Sequence, residues 1–100
     1  MARFRLTTRA RTDLREAFRY VIEQGRVAAA RRLRLRIRDS LLLLAEQPYI
    51  GIARPELEPN LRSHAVPNTR YIIFYYPTDY GVEIASVFHG SQDLRRLFDQ

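Results

Sequence analysis

The chain has 100 residues, 46% hydrophobic and 28% charged, with no cysteine and a formal net charge of +6. At that length one core forms, burying roughly 60 to 70% of the unfolded chain's surface, and the composition lies well away from the disordered regime. Without cysteine a disulfide framework and a thiolate metal site are both excluded, so a reducing, cytoplasmic setting is expected.

All 17 basic residues are arginine. The planar guanidinium favours bidentate contact with carboxylates and phosphates, so the charge balance points to an acidic macromolecular partner. A GC-rich coding sequence accounts equally for the missing lysine. The first residues, Met-Ala-Arg-Phe-Arg-Leu, lack the apolar run of a signal peptide. The longest apolar run, residues 41–45, is far short of the roughly 20 residues that span a bilayer, so no membrane crossing is expected.

In chain order, residues 3–7 alternate Phe4 and Leu6 with arginines, the period of a half-buried strand, and Thr7-Thr8 offers a hydroxyl cap for a helix. Over residues 9–24, Ala10, Leu14, Ala17, Phe18, Val21 and Ile22 recur at spacings of three and four, which predicts an amphipathic helix ended by Gly25. A second helix is predicted to about Gln47, with Val27, Ala30, Leu33, Ile37, Leu41 and Leu44 on its apolar stripe and Pro48 as its stop. So short a connection predicts an antiparallel helical hairpin.

Residues 48–60 carry Pro48, Gly51, Pro55 and Pro59 and read as an ordered crossing loop. Three strands are predicted at residues 61–66, 70–76 and 82–88, forming an antiparallel meander turned at Pro67-Asn68 and again around Pro77, Asp79 and Gly81. A short terminal helix is predicted over residues 91–98. The fold class is therefore α+β, in the order β-α-α-β-β-β: a single domain over 1–100 whose helical hairpin covers a small antiparallel sheet. The pattern leaves open where the first strand joins that sheet.

Three features could carry function. Arg31, Arg32, Arg34, Arg36 and Arg38 crowd the second helix, either as a solvated face or as a phosphate-tracking or acid-binding surface. The strand Tyr71-Ile72-Ile73-Phe74-Tyr75-Tyr76 is greasy on both faces, so one face is either shielded or kept for a partner. His89 ends the last strand, followed by Asp93, Arg95 and Arg96, and its titration range suits acid–base work. RNA transphosphorylation needs a base, an acid and cations, roles open to His89, Tyr71 and Arg70; a hydrogen-bonded corner between His89 and Asp93 is the structural alternative. Two histidines and scattered carboxylates form no closely spaced metal ligand set, no Gly-rich phosphate loop appears, and no cofactor is expected.

The ordered set Thr8-x-x-Ala-x-x-Asp13-Leu14, Leu44-Ala-Glu-x-Pro48-x-x-Gly51, Arg54-Pro-Glu-Leu57, Leu61-Arg62-Ser63, Arg70-Tyr-x-Ile-Phe-Tyr75 and Val87-x-His89-Gly-x-x-Asp93 spans nearly the whole chain. In that order it resembles the ParE branch of the RelE/ParE toxin superfamily, also called plasmid stabilisation proteins. The resemblance implies the toxin of a type II toxin–antitoxin pair, held in a hetero-oligomer by a ParD-like antitoxin whose C-terminal segment wraps it. For the ParE branch the implied target is DNA gyrase, bound stoichiometrically, with sequence-specific DNA binding only through the antitoxin. For the RelE branch it is mRNA in the ribosome, cut by a basic, tyrosine-rich site.

Under this resemblance Leu14, Phe18, Leu41, Arg34, Arg38 and Tyr75 are expected to bind antitoxin, and His89, Asp93, Arg95 and Arg96 to bind the target. A RelE-type site would rest on His89, Arg70, Tyr71 and Arg62. Lysine is missing altogether, however, and the arginine expected before the aromatic strand falls at Asn68 or a neighbour, with Arg62 and Arg70 as imperfect substitutes.

Overall fold

A computed structural model describes residues 2–90. Strand β1 (Arg3–Leu6) leads into helix α1 (Thr8–Glu23) and helix α2 (Val27–Glu46). Four strands follow: β2 (Ile52–Ala53), β3 (Arg62–Ala65), β4 (Tyr71–Pro77) and β5 (Gly81–His89). The expected terminal helix, with Asp93, Arg95 and Arg96, lies outside the described residues.

Local chemistry sets the ends of α1. The Thr7 hydroxyl accepts from the Ala10 N–H at 3.1 Å, the expected cap, and donates to the Ala85 carbonyl at 2.9 Å. At the other end Gly25 takes φ +74°, and the N–H groups of Gly25 and Arg26 donate to the carbonyls of Ile22 and Val21. This left-handed stop satisfies two carbonyls of the last turn and reverses the chain into α2.

The five strands form one sheet in the order β1-β5-β4-β3-β2. The meander of β3, β4 and β5 is antiparallel as expected, but β1 runs parallel to β5, with Arg3 opposite Gly81 and Leu6 opposite Ile84. The sheet is therefore mixed: the first strand, whose place the sequence left open, adds a parallel edge to the antiparallel meander. The approach is close at Gly81, where a Cβ would run into the Arg3 carbonyl. The crossing loop also holds the short edge strand β2, paired with β3 through Ile52 and Ser63.

Alternation along β4 survives as expected. Tyr71, Ile73 and Tyr75 face the helices, in a core with Leu33, Ile37, Leu41, Leu44 and the β5 residues Val82, Ile84 and Val87. The opposite face carries a second cluster of Leu61, Phe74 and Phe88, with Ile72 and Tyr76 packed against it. A register shift between β4 and β5 pairs Phe74 with Ser86 but Tyr75 with Ile84, leaving Ala85 as the extra residue of a bulge. The bulged Ala85 carbonyl is the acceptor for Thr7.

Candidate functional site

Just past the bulge, the end of β5 meets α1. There the Asp13 carboxylate accepts from the Ser86 hydroxyl at 2.8 Å and from the Val87 N–H at 3.0 Å, so helix and strand are tied two residues before His89. His89 lies opposite Tyr71 in the register, and their rings meet edge to face at 5.0 Å with planes 83° apart.

Helical spacing places Asp13, Glu16, Ala17 and Tyr20 on the face of α1 above this ring pair. With Tyr71, Val87 and His89 they line a cleft of about 450 Å³. Burial, followed by the nearby Tyr20 phenol, pushes the Tyr71 hydroxyl above its ordinary value, so it stays protonated at neutral pH. The lining thus contains two carboxylates, two phenols and an imidazole, and no arginine among the described residues.

The expected nuclease set does not assemble. His89 and Tyr71 do meet, but Arg70 is exposed and not among the cleft's lining residues; only its backbone reaches the strand end, its carbonyl accepting from the Gly90 N–H. Arg62 lies on β3, where it donates to the carbonyls of Tyr49 at 3.1 Å and Gly51 at 2.7 Å and stacks on the Tyr49 ring at 5.1 Å. That guanidinium braces the loop after α2 in a different cleft, of about 490 Å³, walled by Pro55, Pro59, Pro77 and Tyr76.

The residues expected to bind antitoxin divide. Arg34 and Arg38 are exposed, without an ion pair among the described residues. Leu14 and Phe18 are half-buried against the core. Leu41 and Tyr75 are core residues, 5% and 0% exposed, and cannot offer surface to a partner; their placement in a binding groove is corrected. Val27, expected on the buried stripe of α2, is instead 58% exposed.

Val27, Leu35 and Leu42 are exposed residues whose helical positions, with those of Arg31, Arg34 and Arg38, make one outward stripe along α2. Sequence reasoning missed this stripe because it followed the buried one. The seven-residue step from Leu35 to Leu42, with Arg38 between, is the signal that could have found it. No group of three or more histidine, aspartate or glutamate residues that could hold a metal ion occurs among the described residues. Nor is any described helix long and apolar enough to cross a membrane.

Comparison with known proteins agrees with this architecture. The family described as the ParE toxin of type II toxin-antitoxin system, parDE, matches residues 4–94. Among solved structures, the chain is similar to one described as a chromosomal ParDE TA system from P. aeruginosa, with a TM-score of 0.74 at 16% identity over 89% of this chain and 96% of that one. At that identity the likeness speaks for the fold. A search of curated proteins gave no match.

Proposed function

Because the chain belongs to the ParE toxin family of type II toxin–antitoxin systems, we propose that it is a stoichiometric toxin of the cytoplasm, neutralised by a ParD-like antitoxin and directed at DNA gyrase. The observation that carries this reading is the family match over residues 4–94. The P. aeruginosa neighbour, described as a ParDE system, supports the partnership with an antitoxin.

The outward stripe of α2 suits the antitoxin. Val27, Leu35 and Leu42 supply apolar anchors, and Arg31, Arg34 and Arg38 supply charges that carboxylates of an acidic partner would pair. Leu14 and Phe18 remain in the proposed contact at the α1 side. The target contact is assigned to the His89 end of the sheet, continued by Asp93, Arg95 and Arg96 outside the described residues.

An mRNA endonuclease of RelE type is the second reading, favoured by the pairing of His89 with Tyr71. Against it, Asp13 and Glu16 put negative charge beside the imidazole, where a phosphodiester would be repelled, and Arg62 is occupied elsewhere. The deciding experiment titrates purified, antitoxin-free protein into a gyrase supercoiling and DNA-cleavage assay. Inhibition with accumulated cleaved DNA, relieved by antitoxin, is expected; unaffected gyrase together with cut mRNA on translating ribosomes would reverse the assignment.

A further inference from the structure

The cleft between α1 and the end of the sheet is chemically unlike the rest of the chain. Arginine makes up 17 of 100 residues, yet none of the cleft's described lining residues is basic apart from the imidazole of His89. Asp13 and Glu16 supply two carboxylates on one face of α1, and Tyr20 and Tyr71 supply two aromatic rings.

The cleft is held in place before any ligand arrives. One Asp13 oxygen takes both bonds from β5, fixing the carboxylate while its other oxygen has no hydrogen-bond partner among the described residues. Glu16 has no ion-pair partner among them either, and the Tyr20 side chain, 63% exposed, has no hydrogen bond among the described residues. The Tyr71 hydroxyl stays neutral well into alkaline pH, so its ring acts as wall and its hydroxyl as a hydrogen-bonding group.

Carboxylates facing aromatic rings recognise a cation. The carboxylates accept its N–H bonds, and a ring face within about 6 Å attracts the charge through its quadrupole. An anion such as phosphate would meet two like charges. At about 450 Å³ the space exceeds a single ion and holds a side chain.

We infer that this cleft is a receptor for a basic side chain, an arginine or lysine head group presented by the macromolecular target. Positive potential over the rest of the chain steers acidic surface toward α2, while this cleft selects a target carrying an exposed cation. The identity of that macromolecule rests on the ParE reading; the cleft's preference for a cation does not.

The test separates the two. N-acetyl-arginine amide, a monocation with blocked ends, is titrated into the isolated chain at constant ionic strength, and the Tyr20, Tyr71 and His89 ring resonances are followed by NMR. Its neutral isostere, N-acetyl-citrulline amide, is the control. Saturable shifts with an affinity on the order of 10 mM are expected for the cation, as one unassisted side-chain contact gives, with at least about tenfold weaker binding after Glu16→Gln or for citrulline. Glu16 and Tyr20 are exposed, so Glu16→Gln and Tyr20→Ala leave the fold intact, which the amide spectrum checks. No saturable shift to about 100 mM, equal binding of citrulline, or binding indifferent to both variants would overturn the inference. Unaffected gyrase with intact arginine binding would sink the choice of target and leave the cation receptor standing.

Discussion

The hydroxyl of Tyr75 accepts a hydrogen bond from the Gly51 N–H at 2.9 Å, bringing the middle of the sheet into contact with the loop that leaves α2. The same hydroxyl donates to the Pro48 carbonyl at 2.7 Å. Burial raises its titration range, opposed by the Gly51 bond and by Arg62. Glycine is required at the other end, because a Cβ at position 51 would collide with that hydroxyl and with the Ser63 carbonyl. Tyr75→Phe should cost about 1–3 kcal/mol, since it leaves the Gly51 N–H and the Pro48 carbonyl without their partner. Urea unfolding measures this; a variant as stable as the parent would show that the loop holds without the phenol.

The tie between α1 and β5 makes a second prediction. Asp13→Ala removes the acceptor for both the Ser86 hydroxyl and the Val87 N–H, and should destabilise the chain by about 2–4 kcal/mol. Ser86→Ala, which loses one bond and keeps the backbone contact, should cost about 1 kcal/mol. Equal losses for the two variants would place the stabilisation in the hydroxyl bond alone.

Alkaline pH should unfold the protein. The hydroxyls of Tyr71 and Tyr75 are raised by burial, and that of Tyr76 is pushed up to about 12, by burial first and then by its hydrogen bond to Glu58. The folded state holds these protons more tightly than the unfolded chain does. The resulting stability is therefore fully present below the unfolded phenol range near pH 10 and is lost as pH climbs through the raised values. Stability measured against pH should fall above about pH 10, and Tyr76→Phe should remove the titration step near 12 from the ultraviolet absorbance of the folded protein.

Binding of antitoxin should divide along α2. Leu35→Ala and Leu42→Ala should each weaken the complex by roughly 1–2 kcal/mol, chiefly through faster dissociation. Arg34→Ala and Arg38→Ala should mainly slow association and flatten its salt dependence. Surface plasmon resonance at two salt concentrations distinguishes them, and a complex that comes apart in moderate salt alone would show that charge, and not the leucines, holds it.

Toxicity separates the readings of the sheet end. Arg70→Ala should leave growth inhibition intact if the chain binds its target stoichiometrically, whereas a nuclease using Arg70 and His89 would lose it with either substitution. Plating cells that express each variant, with soluble expression checked through antitoxin capture, reads this directly.

Much of this architecture was legible because it is local. The α1 stripe apart from Ile22, which is 50% exposed, the Thr7 cap, the Gly25 stop and the alternation of β4 all depend on residues within a few positions of one another. The parallel pairing of Arg3 with Gly81 was not legible, because nothing near either residue encodes a partner 78 positions away. Strand β2 is too short to leave a pattern. Alternation put Tyr75 on the correct face but could not show that the face is buried; a tyrosine with a fully satisfied hydroxyl reads in sequence like one waiting for a partner. The cleft around His89 was half visible, in His89 and Tyr71. Its carboxylates were not, since Asp13 entered only through a motif and Glu16 looked like any charged helix position.

The pairing of β1 with β5 also governs when the protein can exist. Translation delivers Arg3 first and Gly81 some 78 residues later, about 4–16 s at about 5–20 residues per second. Until then the first strand has no neighbour, and the cleft lacks Val87 and His89, the lining residues that β5 supplies. A nascent chain on the ribosome therefore cannot close this sheet until most of its synthesis is over, and the delay is set by the length of chain between the two strands.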